Sequence, residues 1–250
     1  MSFDMGLFLC NNLLKGGLMT ETTAGLFEKK SDPKLLITVS GIAINFDYVF
    51  NLSDPLADQI KILLVKNKKP PRNSEDRKHG GWGCPTGQQK GYKDAQGAIK
   101  FETRDEAGYD SKIIGKIEIY SKKVKFPSDS EEKILEEGIN EIHLFLIEAR
   151  ETFYVIREKD EIEKSEWFTL RQVFEMPFAK SKDGEMNTNG IYFSHLQRLY
   201  NAFEGMVFFP GDLIDGKAIE KWLKPNRDLL KKGMLELEKE GLLKSFLCDD

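Results

Sequence analysis

The sequence predicts a mixed α/β fold with a helical extension at its C-terminal end, and three observations carry that expectation. Apolar runs of strand length recur at residues 35–46, 60–65 and 142–147. Helical apolar stripes follow the first two runs at 94–108 and the third at 191–203, with two more helical patches beyond Gly211. The composition is ordinary for a globular chain: 250 residues, 40% hydrophobic and 31% charged, enough to bury a core.

Charge and cysteine usage narrow the setting. A net charge of -4 gives no footing for strong binding to nucleic acid or to an acidic membrane. Cys10, Cys84 and Cys248 are too few and too far apart for a disulfide framework or a zinc site, so a cytoplasmic location is expected. No apolar run approaches membrane-spanning length, and the first residues lack a basic leader and a cleavage-site pattern, so no membrane partner is expected.

In chain order, residues 1–33 lack sustained periodicity and read as an arm or one short helix around 7–14. In 35–46 the apolar alternation shifts phase at Ser40-Gly41, which predicts a strand bulged at the glycine. A second buried strand covers 60–65. The polar, basic stretch 66–81 with its Pro-Pro pair is a surface loop, whose Arg72 and Arg77 are candidates for touching a phosphate-bearing ligand. Residues 113–126 form a long strand or hairpin arm, and 128–140 an acidic loop or short helix. In 142–147 every position but His143 is apolar, as in a strand covered on both faces; His143 reads as a structural histidine. A short strand then turns into a short helix across S-E-W-F-T-L-R-Q-V-F-E. Ile191, His195, Leu196, Leu199 and Phe203 mark an amphipathic helix, and the last two helical patches pack back on the body. The organisation is an N-terminal arm (1–33), a main domain (34–205) and a helical extension (206–250).

Chemistry concentrates in residues 82–109. A tight loop holding Pro85, Thr86 and Gly87 leads into a helix that Asp94 caps and Gly108 ends. Glu102, Asp105 and Glu106 stand at i, i+3 and i+4, so they share a helix face. Like charges so placed repel unless a cation neutralises them, and a hard divalent ion suits oxygen ligands. Cys84 has no basic partner marked in sequence and reads as a packing residue. Trp82 reads either as a base-stacking residue or as a buried strand-start tryptophan.

This stretch resembles the Nudix box, G-x5-E-x7-R-E-U-x-E-E-x-G-U with U apolar, aligned without a gap from Gly87 to Tyr109. Glu102 falls on the first core glutamate, and Asp105 and Glu106 on the E-E pair. The lead-in W-G-C-P-T-G resembles the family's W-x-x-P-G-G. Lys93 replaces the first box glutamate and Phe101 the arginine, which in the family resemble a structural ion pair; losing both together is a tolerable exchange, and Phe101 can hold the helix by packing.

The resemblance implies a Nudix-like α/β/α sandwich and a metal-dependent pyrophosphohydrolase cleaving a nucleoside diphosphate linked to another moiety. It implies Mg2+ or Mn2+ held by Glu102, Asp105 and Glu106 with a backbone carbonyl from Gly87. Glu102 or Glu106 is the first choice for the general base, with Glu136, Glu137 and Glu141 as alternatives. Trp82, Arg72 and Arg77 are the candidate substrate-binding residues. The partner is a small nucleotide, nucleic acid is not expected, and the terminal extensions are the segments a homodimer would use. The other reading is a catalytically weak module that binds a nucleotide or nucleotide sugar.

Overall fold

A computed structural model describes residues 34–47, 49–68, 80–127, 135–150, 156, 161–179 and 187–243. The expected arm 1–33, together with Arg72, Arg77 and the 128–134 segment, lies outside the described residues. The first strand, β1 (Lys34–Asn45), is the axis of the sheet. It pairs in parallel with β6 (Leu135–Arg150) over Lys34–Ala43, without a break in register. The bulge expected at Gly41 is absent from that ladder. The apparent phase shift arises because the strand is apolar on both faces: Val39 and Ala43 join one core, Ile42 and Ile44 the other. Alternation with period 2 is intact on each face. Gly41 falls on the first of these faces, where a Cβ would lie 2.9 Å from Ile147 Cδ1 and 3.1 Å from Ile99 Cδ1.

The remaining strands are β2 (Lys61–Asn67), β3 (Trp82–Gly83), β4 (Thr86–Gln88), β5 (Asp110–Pro127) and β7 (Ile162–Thr169). Their order is β3-β2-β1-β6-β5, with β4 pairing β1 and β7 pairing β2, a mixed seven-stranded sheet. Two expectations are revised here. Residues 86–88, expected in a loop, are a short antiparallel strand on β1. The end of the expected acidic loop is strand too: Leu135 through Asn140 extend β6 along β5, because the hairpin ladder gains backbone bonds by continuing.

Helix α1 (Ala95–Ala107) covers one face through Ala95, Ala98, Ile99 and Ala107. The opposite face is covered by α2 (Leu170–Glu175), α3 (Phe193–Phe208), α4 (Gly216–Leu223) and α5 (Arg227–Lys239), giving an α/β/α sandwich with helices added at the C-terminal end. Those added helices share the main core: Ile219, Leu230 and Leu237 are fully buried among residues of β1, β2 and β6. At the periphery Arg171 of α2 joins Asp58 at 2.7 Å and Glu240 at the end of α5. No described helix is long and apolar enough to cross a membrane.

Burial of Leu237 makes α5 part of the same folding unit as the sheet. Leu237→Ala is expected to lower stability by about 2–4 kcal/mol in urea denaturation followed by tryptophan fluorescence. An unchanged midpoint would mean that α5 folds apart from the sheet.

Candidate functional site

Helix α1 begins where its sequence says it should. Asp94 accepts a hydrogen bond from Gly97 N at 2.7 Å, and Gly108 closes the helix in the left-handed region at φ 76°. Two contacts with β4 then fix its position. Gly87 faces α1, and a Cβ there would overlap the Glu102 carboxylate, so only glycine admits this approach. One residue earlier, Thr86 N donates to Glu106 Oε2 at 2.8 Å. The lead-in and the helix are thereby a single unit, with two carboxylates laid against one short strand.

All three candidate carboxylates are buried: Glu102 is 7% exposed, Asp105 4% and Glu106 5%. Asp105 stands on the flank of the helix, where Arg104 Nε lies 3.2 Å from its Oδ1. Burying carboxylates this close together is costly without positive partners. Thr86 N and Arg104 offset part of that cost. The donor set is all oxygen and anionic, the chemistry that a hard divalent ion requires, and the Gly87 cradle keeps the Glu102 carboxylate beside the backbone of β4. In their described positions, however, no three His, Cys, Asp or Glu side chains among the described residues form a group able to hold a metal ion.

Phe101 is held by ring contacts: its centroid is 5.0 Å from that of Tyr92 with the planes tilted at 48°, and the Arg104 guanidinium lies 5.0 Å from its ring centroid. Lys93 is exposed. Trp82 is buried in the core, edge-on to Phe168 at 4.6 Å, with the Lys66 and Lys164 amines over its ring at 5.9 and 5.4 Å. Glu141, one of the alternative bases, is on β6 beside His143, with Oε2 3.3 Å from His143 Nε2; Glu136 and Glu137 lie on the same strand.

On the face of the sheet turned away from α1, Cys84 is a buried free thiol, and burial pushes its pKa up to about 12. A thiol so raised is no nucleophile. Its N–H donates to His195 Nδ1 at 3.0 Å. Burial, reinforced by the Arg198 charge, pushes the His195 pKa down to about 3, so the imidazole is neutral and free to accept that bond. His195 reaches this place because α3 is tied to β3 by Trp82 N to Gly190 O and Tyr192 N to Trp82 O. The sequence marked His195 only as one member of a helical stripe; its tie to Cys84 crosses 111 residues.

The family follows from the chain's match to the NUDIX domain model over residues 50–188, more than half of its length. The chain belongs to the NUDIX family. Similar solved structures include a NUDIX hydrolase from Nitrosomonas europaea, 18% identical, covering 56% of this chain and 76% of that one with a TM-score of 0.37. The NUDIX domain of Shewanella oneidensis NrtR, crystallised with ADP ribose, is 17% identical over 71% and 92% of the two chains, TM-score 0.39. A MutT/nudix family protein from Enterococcus faecalis is 14% identical over 85% and 84%, TM-score 0.41. No curated protein matches the sequence. Within this NUDIX protein Phe101, at the place of the box arginine, packs between Tyr92 and Arg104, and Arg104, at an unrestricted box position, is the residue that sequence reading passed over.

The neutral His195 makes the fold sensitive to acid. Its pKa is lowered from 6.5 to about 3 in the folded state, so between those values the unfolded chain binds more protons. Stability from this group is full above the unfolded value and is lost as pH falls toward the folded one. His195→Gln, which can still accept from Cys84 N, is expected to flatten the fall in melting temperature on acidification. A slope identical to wild type would show that His195 does not titrate on unfolding.

Proposed function

We propose that this NUDIX protein is a divalent-metal-dependent hydrolase of a phosphoanhydride bond in a nucleoside diphosphate linked to another moiety. One observation carries the reading: Glu102 and Glu106 are buried against Gly87 and Thr86 on a single short strand. Glu102, Asp105 and Glu106 are the proposed ligands for Mg2+ or Mn2+, with the Gly87 carbonyl as a backbone donor. A bound divalent ion would supply charge neutralisation at the diphosphate and a more acidic water.

The chain's own residues do the positioning. Thr86 N fixes the Glu106 carboxylate through one of its oxygens. Gly87 holds the Glu102 carboxylate beside the strand by offering no side chain. Arg104 steadies Asp105 while its guanidinium rests on Phe101, so packing on the Tyr92–Phe101 pair orients a carboxylate from outside the site. Glu102 or Glu106 is the proposed general base, and Arg72 and Arg77 are the proposed substrate-side residues; Trp82, buried against Phe168, is a packing residue instead. The substrate partner is a small nucleotide, the setting cytoplasmic, and a homodimer is the proposed assembly.

A second reading, a binding module without turnover, is favoured by Lys93 and Phe101 in place of the box ion pair. A panel of nucleoside diphosphate derivatives with Mg2+ separates the two. Glu106→Gln is expected to lower kcat/KM by about 100-fold or more while leaving the melting temperature close to wild type. If wild type binds one of these compounds tightly yet releases no nucleoside monophosphate from any, the enzyme reading fails and the binding module stands.

A further inference from the structure

Behind β4, on the face opposite α1, a guanidinium with two buried, unpartnered nitrogens lies beside a phenol. Arg198 of α3 places its guanidinium carbon 5.7 Å from the centroid of the Tyr120 ring of β5, within cation–π range. Arg198 Nε, Arg198 Nη1 and Tyr120 Oη are each buried, and none has a hydrogen-bond partner among the described residues. No carboxylate of the described residues forms an ion pair with Arg198. Donors left in this state forfeit hydration that a cation–π contact only partly offsets, and a cation forfeits most.

The neighbours do not relieve the charge. Cys84 is a neutral thiol and His195 a neutral imidazole whose Nδ1 is already taken by Cys84 N. Burial raises the Tyr120 pKa; the Arg198 charge and its contact with the phenol oppose this and Glu118 reinforces it, with a net upward shift, so Tyr120 keeps its proton and remains a donor. What converges here is a permanent cation and a protonated hydroxyl, both able only to gain from an oxyanion. The Arg198 side chain as a whole is half-buried, so rotation of this long side chain opens a route without moving α3.

We propose that Arg198 and Tyr120 form an anion receptor that takes a phosphoryl group of a phosphate-bearing ligand on the α3 side of the sheet. The choice of phosphoryl over carboxylate rests on the hydrolase reading above; the receptor itself rests on the orphaned donors. Arg198 supplies charge and N–H groups in a fixed plane, and Tyr120 supplies an O–H beside it.

The test is binding to the full chain in EDTA, with inorganic phosphate, pyrophosphate and a nucleoside diphosphate as probes and acetate as the carboxylate control, read by calorimetry. Wild type is expected to bind the phosphate-bearing probes better than acetate. Arg198→Met is expected to weaken that binding roughly 10- to 100-fold. The same variant should raise the ligand-free melting temperature by about 2–4 °C, since it removes an uncompensated cation. Tyr120→Phe, which deletes only the hydroxyl, should weaken binding roughly 3- to 10-fold. Unchanged affinity in both variants overturns the proposal, as does a lower melting temperature for Arg198→Met, which would reveal a structural partner. Acetate bound as tightly as phosphate overturns the phosphoryl assignment. Because no metal and no turnover enter this readout, an inactive wild type that still binds phosphate through Arg198 supports the receptor and sinks only the enzyme reading.

Discussion

The structure depends on the clamp between α1 and β4. Glu102 can lie on the strand only because Gly87 has no side chain, and Glu106 is tied to the strand by Thr86 N. The two contacts add to the apolar packing of Ala95, Ala98, Ile99 and Ala107 on the sheet, one through steric access and the other through a charge-assisted hydrogen bond. The clamp is also what buries the carboxylates, so the same geometry that secures the helix creates the electrostatic demand a cation would meet.

How this chain supports the clamp differs from the pattern of its family's box. Where the box has a glutamate and an arginine, Lys93 points to solvent and Phe101 packs between Tyr92 and Arg104. Where the box has an ion pair, this chain has a tilted aromatic pair with a guanidinium over one ring. The exchange is coherent because both members changed; an arginine at 101 facing Lys93 would have left two cations together. It also gives Arg104 a defined orientation, from which it reaches Asp105.

The two faces of β4 carry different chemistry although one strand separates them. Toward α1 the groups are anionic carboxylates. Toward α3 they are neutral or cationic: a high-pKa thiol, a low-pKa imidazole, a phenol and the Arg198 guanidinium. Strand alternation makes this division possible, because successive residues Thr86 and Gly87 point to opposite faces. Thr86 uses both of its polar groups: its N–H holds Glu106, and its hydroxyl donates to Cys84 O and meets Ser40 Oγ. The two sides are therefore mechanically joined at one residue.

The sequence by itself determined the parts that local chemistry governs. Asp94 and Gly108 set the ends of α1, the spacing of Glu102, Asp105 and Glu106 put them on one helix face, and apolar period placed β2, the middle of β6 and the C-terminal helices. It misjudged β1, because a strand that is apolar on both faces mimics a phase shift when only one face is assumed. It left residues 86–88 as a loop and the start of β6 as an acidic segment, because short or polar strands exist through pairing with distant partners rather than through their own pattern. Only the tertiary structure decided what Gly87 is for, which carboxylate Arg104 would hold, and that His195 and Arg198 would meet Cys84 and Tyr120. Those pairings join side chains far apart in sequence, and no local preference encodes them; they follow from β1 bringing β4 and β6 to its two edges and from α3 being tied to β3.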